Sequence, residues 1–109
     1  MTLAAAPVRP EVSLQGDTLS LHGPMTLLHA HSLELAGAKA LQGEVLAVTA
    51  RLVADLAAVT AVDSSALAVL FALQRALQQR GGSLAVRAAP DALLSLAKVY
   101  GVEDQLVWA

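Results

Sequence analysis

Cysteine is absent from this chain of 109 residues, so disulfide bonds, thiolate metal ligands and cysteine nucleophiles are all excluded. Aromatic residues make up only 3% of the sequence, which leaves alanine, leucine and valine to build the core. Charged residues make up 15% and hydrophobic residues 56%. Because both shares depart from ordinary values in the apolar direction, we expect part of the apolar surface to be covered by a partner.

The sequence also lacks a basic cluster, a long apolar run and a recognisable leader. Its seven Lys and Arg are scattered among nine Asp and Glu, so the net charge of −2 argues against nucleic acid as a main ligand. Arg51 and Asp55 interrupt the longest candidate for the roughly 20 apolar residues of a membrane helix. Residues 1–10 lack the charged start and apolar stretch of a signal peptide. We therefore expect a soluble, cytoplasmic protein without a membrane span of its own.

The pattern of the chain predicts one α/β domain over residues 11–109, after a flexible lead-in at 1–10. Two short alternating segments flank Gly16-Asp17, which is typical of a β-hairpin, and Gly23-Pro24 is expected to end the second strand. The later predicted elements are a helix at 25–41, a strand at 45–54, a helix at 64–80, a strand at 83–88 and a helix at 90–100. This order, β-β-α-β-α-β-α, predicts a mixed β-sheet covered mainly on one side by helices.

Three polar residues, Asp63, Ser64 and Ser65, open the helix predicted over residues 64–80. They lie where backbone N–H groups lack helical partners and the helix dipole is positive. Asp63 is predicted to be the N-cap, a role worth about 1 kcal/mol. Ser64 and Ser65 are either simple helix-start residues or possible phosphorylation sites, where a phosphate would add about −1.5 to −2 charges.

The same helix has apolar residues on two sides when each residue is turned by about 100°. The residues expected to face the sheet are Ala66, Val69, Leu70, Leu73 and Leu77. Leu67, Ala68 and Phe71 fall on the outward side, in line with Ser64. Either a neighbouring loop or the first helix covers them, or they belong to a protein-binding face. The residues predicted for that face are Ser64, Ser65, Leu67, Ala68, Phe71 and Arg75.

The segment Val62-Asp63-Ser64-Ser65-Ala66-Leu67 resembles the Asp-Ser-Ser/Thr-Gly-Leu signature of STAS domains, the fold of anti-sigma factor antagonists. The resemblance extends over about residues 11–105, and it implies a STAS-like order of strands and helices. In these antagonists an anti-sigma kinase phosphorylates a serine of the motif, which breaks the complex between the two proteins. The resemblance therefore implies Ser64 or Ser65 as the modified residue.

A second segment, Leu96-Ala97-Lys98-Val99-Tyr100-Gly101-Val102, followed by Leu106, is similar to the MlaB-type STAS subunits of phospholipid-transporting ABC complexes. This resemblance implies the cytoplasmic ATPase subunit as partner, a peripheral location at the inner membrane, and an interface that includes Ser64. Ala66 stands where the STAS signature has glycine, which favours the transporter subunit over the kinase antagonist. The stretch from Gln42 to Thr49 is longer than this family leads us to expect.

The sequence contains no motif that indicates catalysis. Ser64 is not part of a Gly-x-Ser-x-Gly elbow, no histidine lies close to it in sequence, and no phosphate-binding glycine loop occurs. We therefore expect no enzyme activity, cofactor or metal. The open alternatives are an ABC-transporter subunit, a kinase-regulated antagonist and a lipid carrier, and a lipid carrier would need a cavity. Tyr100 is expected to be a core residue with its hydroxyl at the edge.

Overall fold

A computed structural model describes residues 9–42 and 51–109 of the chain. Its helices and strands are β1 (Glu11–Gln15), β2 (Thr18–Met25), α1 (Ala30–Gln42), β3 (Arg51–Val62), α2 (Ser64–Gln78), β4 (Ser83–Arg87), α3 (Asp91–Val99) and β5 (Val107–Trp108). Two short 3₁₀ turns, Leu27–His29 and Glu103–Gln105, precede α1 and β5. The start of the strand predicted at 45–54, the connection around Gln42 to Thr49 and most of the predicted lead-in lie outside the described residues.

The described strands form one five-stranded sheet in the order β1-β2-β3-β4-β5. The β1–β2 pair is antiparallel, whereas the three following pairs are parallel. Each parallel pair is joined through a helix, and every step goes in the same direction across the sheet. Since such crossovers are right-handed, they place the three helices on one face. The predicted mixed sheet with helices mainly on one side is confirmed.

The core lies between this covered face and the inner sides of the helices. Along the central strands, buried residues alternate with more exposed ones, and the buried side chains are those of Leu19, Leu21, Met25, Leu52, Ala54, Leu56, Leu84 and Val86. The helix residues expected to face the sheet are all buried as well: Ala66, Val69, Leu70, Leu73 and Leu77. Helix periodicity therefore predicted the direction of the α2 side chains correctly.

Four element boundaries differ from the sequence prediction. The strand predicted to end at residue 54 continues to Val62, so the apolar residues expected in a loop before Asp63 belong to β3. Gly23-Pro24 does not end β2, because the strand continues to Met25 through a register shift between Gly23 and Pro24. A positive φ at the glycine and a residue without an N–H are both tolerated at such an irregularity. The helix predicted from residue 25 begins only at Ala30, after the Leu27–His29 turn. Pro90 is the N-cap of α3 and not its first helical residue.

Gly23 is the glycine of the described sheet on which a side chain would be most disruptive. Its φ is +85°, and a Cβ would lie 3.1 Å from the carbonyl oxygen of Arg9 and 3.2 Å from the Cα of Pro10. Gly16 also has a positive φ, +62°, but a Cβ there would meet nothing within 4 Å. A side chain would therefore strain the backbone at both glycines, but it would collide with neighbouring atoms only at Gly23.

We predict that Gly23→Ala lowers the free energy of unfolding by about 2 kcal/mol or more, because left-handed strain and backbone crowding add. The matched variant Gly16→Ala should cost only about 1 kcal/mol, the contribution of strain alone. Urea denaturation of both variants beside the parent protein measures the two values. Equal losses would contradict the crowding at Gly23.

Candidate functional site

The carboxylate of Asp63 organises the N-terminus of α2, here called the α2 tip and consisting of Asp63, Ser64 and Ser65. Asp63 has an extended backbone, with φ −136° and ψ −169°, and its Oδ1 accepts a hydrogen bond from the Ser65 N–H at 2.8 Å. Its second oxygen, Oδ2, accepts one from the Leu27 N–H at 2.9 Å. The predicted N-cap is thus confirmed, and the same carboxylate also binds the Leu27–His29 turn to the α2 tip.

These two hydrogen bonds act on the acidity of Asp63. The bond from the Leu27 N–H, and after it the bond from the Ser65 N–H, lower the pKa of Asp63 below the ordinary value of 3.8. Partial burial of the carboxylate acts in the opposite direction but does not cancel this effect. At neutral pH the Asp63 side chain is therefore a structural anion and a weak base.

The two serines of the tip differ in exposure. Ser64 is the first residue of α2 and is exposed, so its hydroxyl is accessible. Ser65 is half-buried, and its backbone N–H is bound to Asp63. Of the two predicted phosphorylation candidates, Ser64 is the one whose position gives an enzyme free access to the hydroxyl.

An apolar groove of about 380 Å³ begins at Ser64 and separates the first turns of α2 from the residues that follow α3. Apolar side chains provide nearly all of its lining, and the lining residues are Ser64, Leu67, Ala68, Phe71, Tyr100 and Val102. The structure therefore brings together four of the six residues predicted for the protein-binding face. Ser65 and Arg75 do not line the groove, and Arg75 is exposed further along α2.

The predicted outward exposure of Leu67 is wrong. Leu67 is only 4% exposed and belongs to the core cluster, while Phe71 is half-buried against that cluster and Ala68 is exposed. The cause is the chain that follows α3, which runs back along α2, where the Gln74 side chain donates to the Gln105 carbonyl oxygen at 3.0 Å. A neighbouring segment thus covers part of this side of α2, and Leu67 and Phe71 form the floor of the groove instead of a projecting patch.

Tyr100 is the residue that sequence reasoning placed least well. It is not a core residue but the C-cap of α3, 58% exposed, and it forms the second wall of the groove together with Val102. Gly101, with φ +68°, ends the helix as expected, and the Val102 N–H donates to the Ala97 carbonyl oxygen at 2.9 Å. This turn brings Val102 back towards α2. In the sequence, Gly101 after the apolar stripe of α3 indicates this turn and therefore a position for Tyr100 at the end of the helix.

A metal-binding cluster and a membrane-spanning helix are both absent from the described residues. Within residues 9–42 and 51–109, no three His, Asp or Glu side chains come together in a group that could hold a metal ion. In the same part of the chain, none of the helices has the length and hydrophobicity of a transmembrane segment.

On the sheet, Arg87 and Asp55 form an ion pair at 2.9 Å. The hydrogen bond from the Ala57 N–H, followed by that from Arg87, lowers the pKa of Asp55.

Comparison with known proteins places these features in a family. The family profile described as "Mlab, STAS domain" matches residues 8–108. Among solved structures, an anti-sigma factor antagonist from Mycobacterium paratuberculosis shares 23% identity and has a TM-score of 0.68, with 91% of this chain and 82% of that chain covered. None of the curated protein sequences matches the chain.

Two further structures show the same fold at lower identity. The Bacillus cell fate determinant SpoIIAA in its phosphorylated form has a TM-score of 0.63 and 13% identity, over 92% of this chain and 90% of that chain. A sulfate transporter family protein from Wolinella succinogenes has a TM-score of 0.59 and 17% identity, over 84% of this chain and 75% of that chain. At such identities the likeness shows the fold alone.

We predict that Asp63→Asn destabilises the domain by about 1 kcal/mol at neutral pH, because an amide has a single acceptor oxygen and no charge for the two N–H groups. The pKa of Asp63 is lowered on folding, so the unfolded chain takes up the proton first. The stability that the carboxylate contributes is therefore complete above the unfolded pKa and is lost as pH falls through the folded one. Denaturation from pH 6 towards pH 3 should show the difference from the parent protein shrinking, and a constant difference would contradict the role of the charge.

Proposed function

The chain belongs to the MlaB-type STAS-domain family, and we propose that it is a non-catalytic subunit that binds and supports the cytoplasmic ATPase of a phospholipid-transporting ABC complex. In this proposal the protein lies at the inner membrane through its partner and contributes to the lipid asymmetry of the outer membrane. The match over residues 8–108 supports the family part of this assignment. The assignment of the partner-binding residues is supported by the groove at the α2 tip.

The apolar groove beside Ser64 is the observation that carries this proposal. Its walls present an aromatic ring, that of Tyr100, which is 58% exposed although the chain has few aromatic residues. Exposed aromatic side chains beside a small apolar pocket are typical of the centre of a protein interface. We assign the partner-binding surface to the groove residues together with Ser65 and Arg75 at its margin. Its members are Ser64, Ser65, Leu67, Ala68, Phe71, Arg75, Tyr100 and Val102.

The chemistry of the α2 tip supports a binding role over a catalytic one. A general base works best when its pKa lies near the operating pH. The pKa of Asp63, the acidic residue next to Ser64, is held below 3.8 by hydrogen bonds from the Leu27 N–H and the Ser65 N–H, and these bonds engage both of its oxygens. The carboxylate is thus poorly suited to activate the Ser64 hydroxyl.

A second candidate function is an anti-sigma factor antagonist that is switched by phosphorylation of Ser64. The exposed position of Ser64 at the first residue of α2 favours it, because a kinase needs access to the hydroxyl. A phosphate at a helix N-terminus is stabilised by the helix dipole. Stoichiometric phosphate transfer from an anti-sigma kinase to Ser64, with no binding to a transporter ATPase, would decide for this function and against the first.

We predict that Ala68→Asp and Tyr100→Asp each weaken binding to the ATPase subunit at least about 30-fold, because a charge would be buried against an apolar contact. Both side chains are exposed, so the free domain should stay folded. Ala38→Asp on α1 is the matched control, since Ala38 is exposed but does not line the groove. Co-purification with the ATPase and the ATPase activity of the complex are the measurements, and unchanged binding by both groove variants would remove the proposed interface.

We also predict that Ser64→Asp weakens the complex more than Ser64→Ala does. The alanine variant loses one hydroxyl at the edge of the groove, whereas the aspartate variant must lose the hydration of a new charge. Titration calorimetry with the purified ATPase subunit compares the two affinities. Equal affinities would show that Ser64 lies away from the contact.

A further inference from the structure

A second cavity of about 380 Å³ lies at the start of α1, and its lining is more polar than that of the apolar groove. The lining residues are Arg9, Pro10, His29 and Ser32. They come from three places in the chain: the residues just before β1, the Leu27–His29 turn and the first turn of α1. Small-molecule sites have volumes of roughly 300 to 1,000 Å³. This cavity, here called the α1 cavity, therefore has the size for a small ligand.

The polar side chains of the α1 cavity are all hydrogen-bond donors. The Arg9 guanidinium carries a permanent positive charge and several N–H groups, the His29 ring has at least one N–H, and the Ser32 hydroxyl donates as well. No Asp or Glu lines the cavity, and the first turn of α1 contains no acidic residue. The α1 cavity is thus a positively charged place in a protein whose net charge is −2.

These donors are not used inside the described part of the chain. Within residues 9–42 and 51–109, the side chains of Arg9, His29 and Ser32 form no hydrogen bond or ion pair with another residue. Other arginines differ in this respect, since Arg80 donates to the Leu41 carbonyl oxygen and Arg87 donates to a carboxylate. The donors that line the α1 cavity are therefore available to a ligand.

The backbone that carries the three donors is held in place. The Arg9 carbonyl oxygen lies against Gly23, 3.1 Å from the position that a Cβ would take there. The His29 N–H donates to the Thr26 carbonyl oxygen at 2.9 Å, and Ser32 belongs to α1. A ligand would therefore have to order side chains but no backbone, which lowers the cost of binding.

The charge and the number of donors indicate the class of ligand. A positive cavity without a carboxylate favours an anion. The planar fork of a guanidinium is by itself sufficient for a planar carboxylate. The oxygens of a tetrahedral phosphate point in several directions, so that a phosphate held by the Arg9 fork can also accept bonds from His29 and Ser32. A phosphate group therefore uses all three donors of the cavity.

We infer that the α1 cavity binds a small molecule or headgroup that carries a phosphate group. Arg9 pairs with two phosphate oxygens, and His29 and Ser32 donate to the others. The phosphate belongs either to a soluble compound or to the headgroup of a lipid, and the recognition chemistry is the same. This inference goes beyond the proposed function and does not rest on it, because the three residues lie outside the partner-binding surface.

The test uses the full chain and inorganic phosphate, exchanged for chloride at constant ionic strength and followed by the amide NMR signals. The variants are Arg9→Gln and Ser32→Ala. Arg51→Gln is the matched control, since Arg51 is also exposed but lies at the start of β3 and does not line the α1 cavity. The NMR spectrum of each variant verifies in the same experiment that the domain is folded.

We expect saturable shifts at Arg9, His29 and Ser32, with binding weakened at least about tenfold by Arg9→Gln, about threefold by Ser32→Ala and less than about twofold by Arg51→Gln. Shifts that do not saturate, or an equal loss in Arg9→Gln and Arg51→Gln, would show a general ionic attraction and overturn the inference. Neither result depends on the ATPase, so failure of the proposed function would leave this inference standing.

The source of the phosphate is decided by flotation with vesicles of phosphatidylcholine, with and without phosphatidic acid. Binding of the parent chain only to vesicles with phosphatidic acid, lost in Arg9→Gln, would assign the cavity to a lipid headgroup. Saturable binding of inorganic phosphate without binding to either vesicle would assign it to a soluble phosphate compound.

Discussion

The site depends on one carboxylate that serves two backbone segments at once. Asp63 caps α2 through the Ser65 N–H and binds the Leu27–His29 turn through the Leu27 N–H. One oxygen thus fixes where the helix begins, and the other fixes where the chain leaves β2. The Met25–Val62 pair brings the end of β2 beside the start of α2, and the carboxylate adds the bond that fixes the Leu27 backbone there. An acidic residue is suited to this role because each of its oxygens can accept a bond.

The α2 tip remains accessible because of the unequal lengths of the strands beside it. β3 continues to Val62, although its pairing with β4 already ends at the pair of Asp55 with Arg87. The tip is therefore carried past the end of β4, while β2 still accompanies the extension up to the Met25–Val62 pair. On the side of the missing strand, the described segment after α3 lies over the first turns of α2, and its Tyr100 and Val102 line the groove there. A groove, and not a closed core, results.

The sequence predicted the parts of this arrangement that local rules control. The cap at Asp63, the glycine stop at Gly101 and the inward face of α2 follow from residue chemistry and helix geometry, and all three are found. The placement of Leu67 and Tyr100 failed, because helix periodicity gives the direction of a side chain but not the segment that lies over it. That segment is positioned by the turn after α3 and by the bond from Gln74 to the Gln105 carbonyl, a contact 31 residues apart in the chain.

The electrostatics of the tip connect the two candidate functions. A phosphate on Ser64 would gain up to about 1 kcal/mol from the helix dipole at an exposed position. Docking an apolar partner would then require several kcal/mol to remove water from the same charge. Since the dipole acts in the free domain and in the complex alike, the desolvation cost decides, and a negative charge at Ser64 would favour the free domain over a complex with an apolar partner. The two proposed functions would thus use one surface with the same sign of response to charge, and they would differ in the partner that binds it.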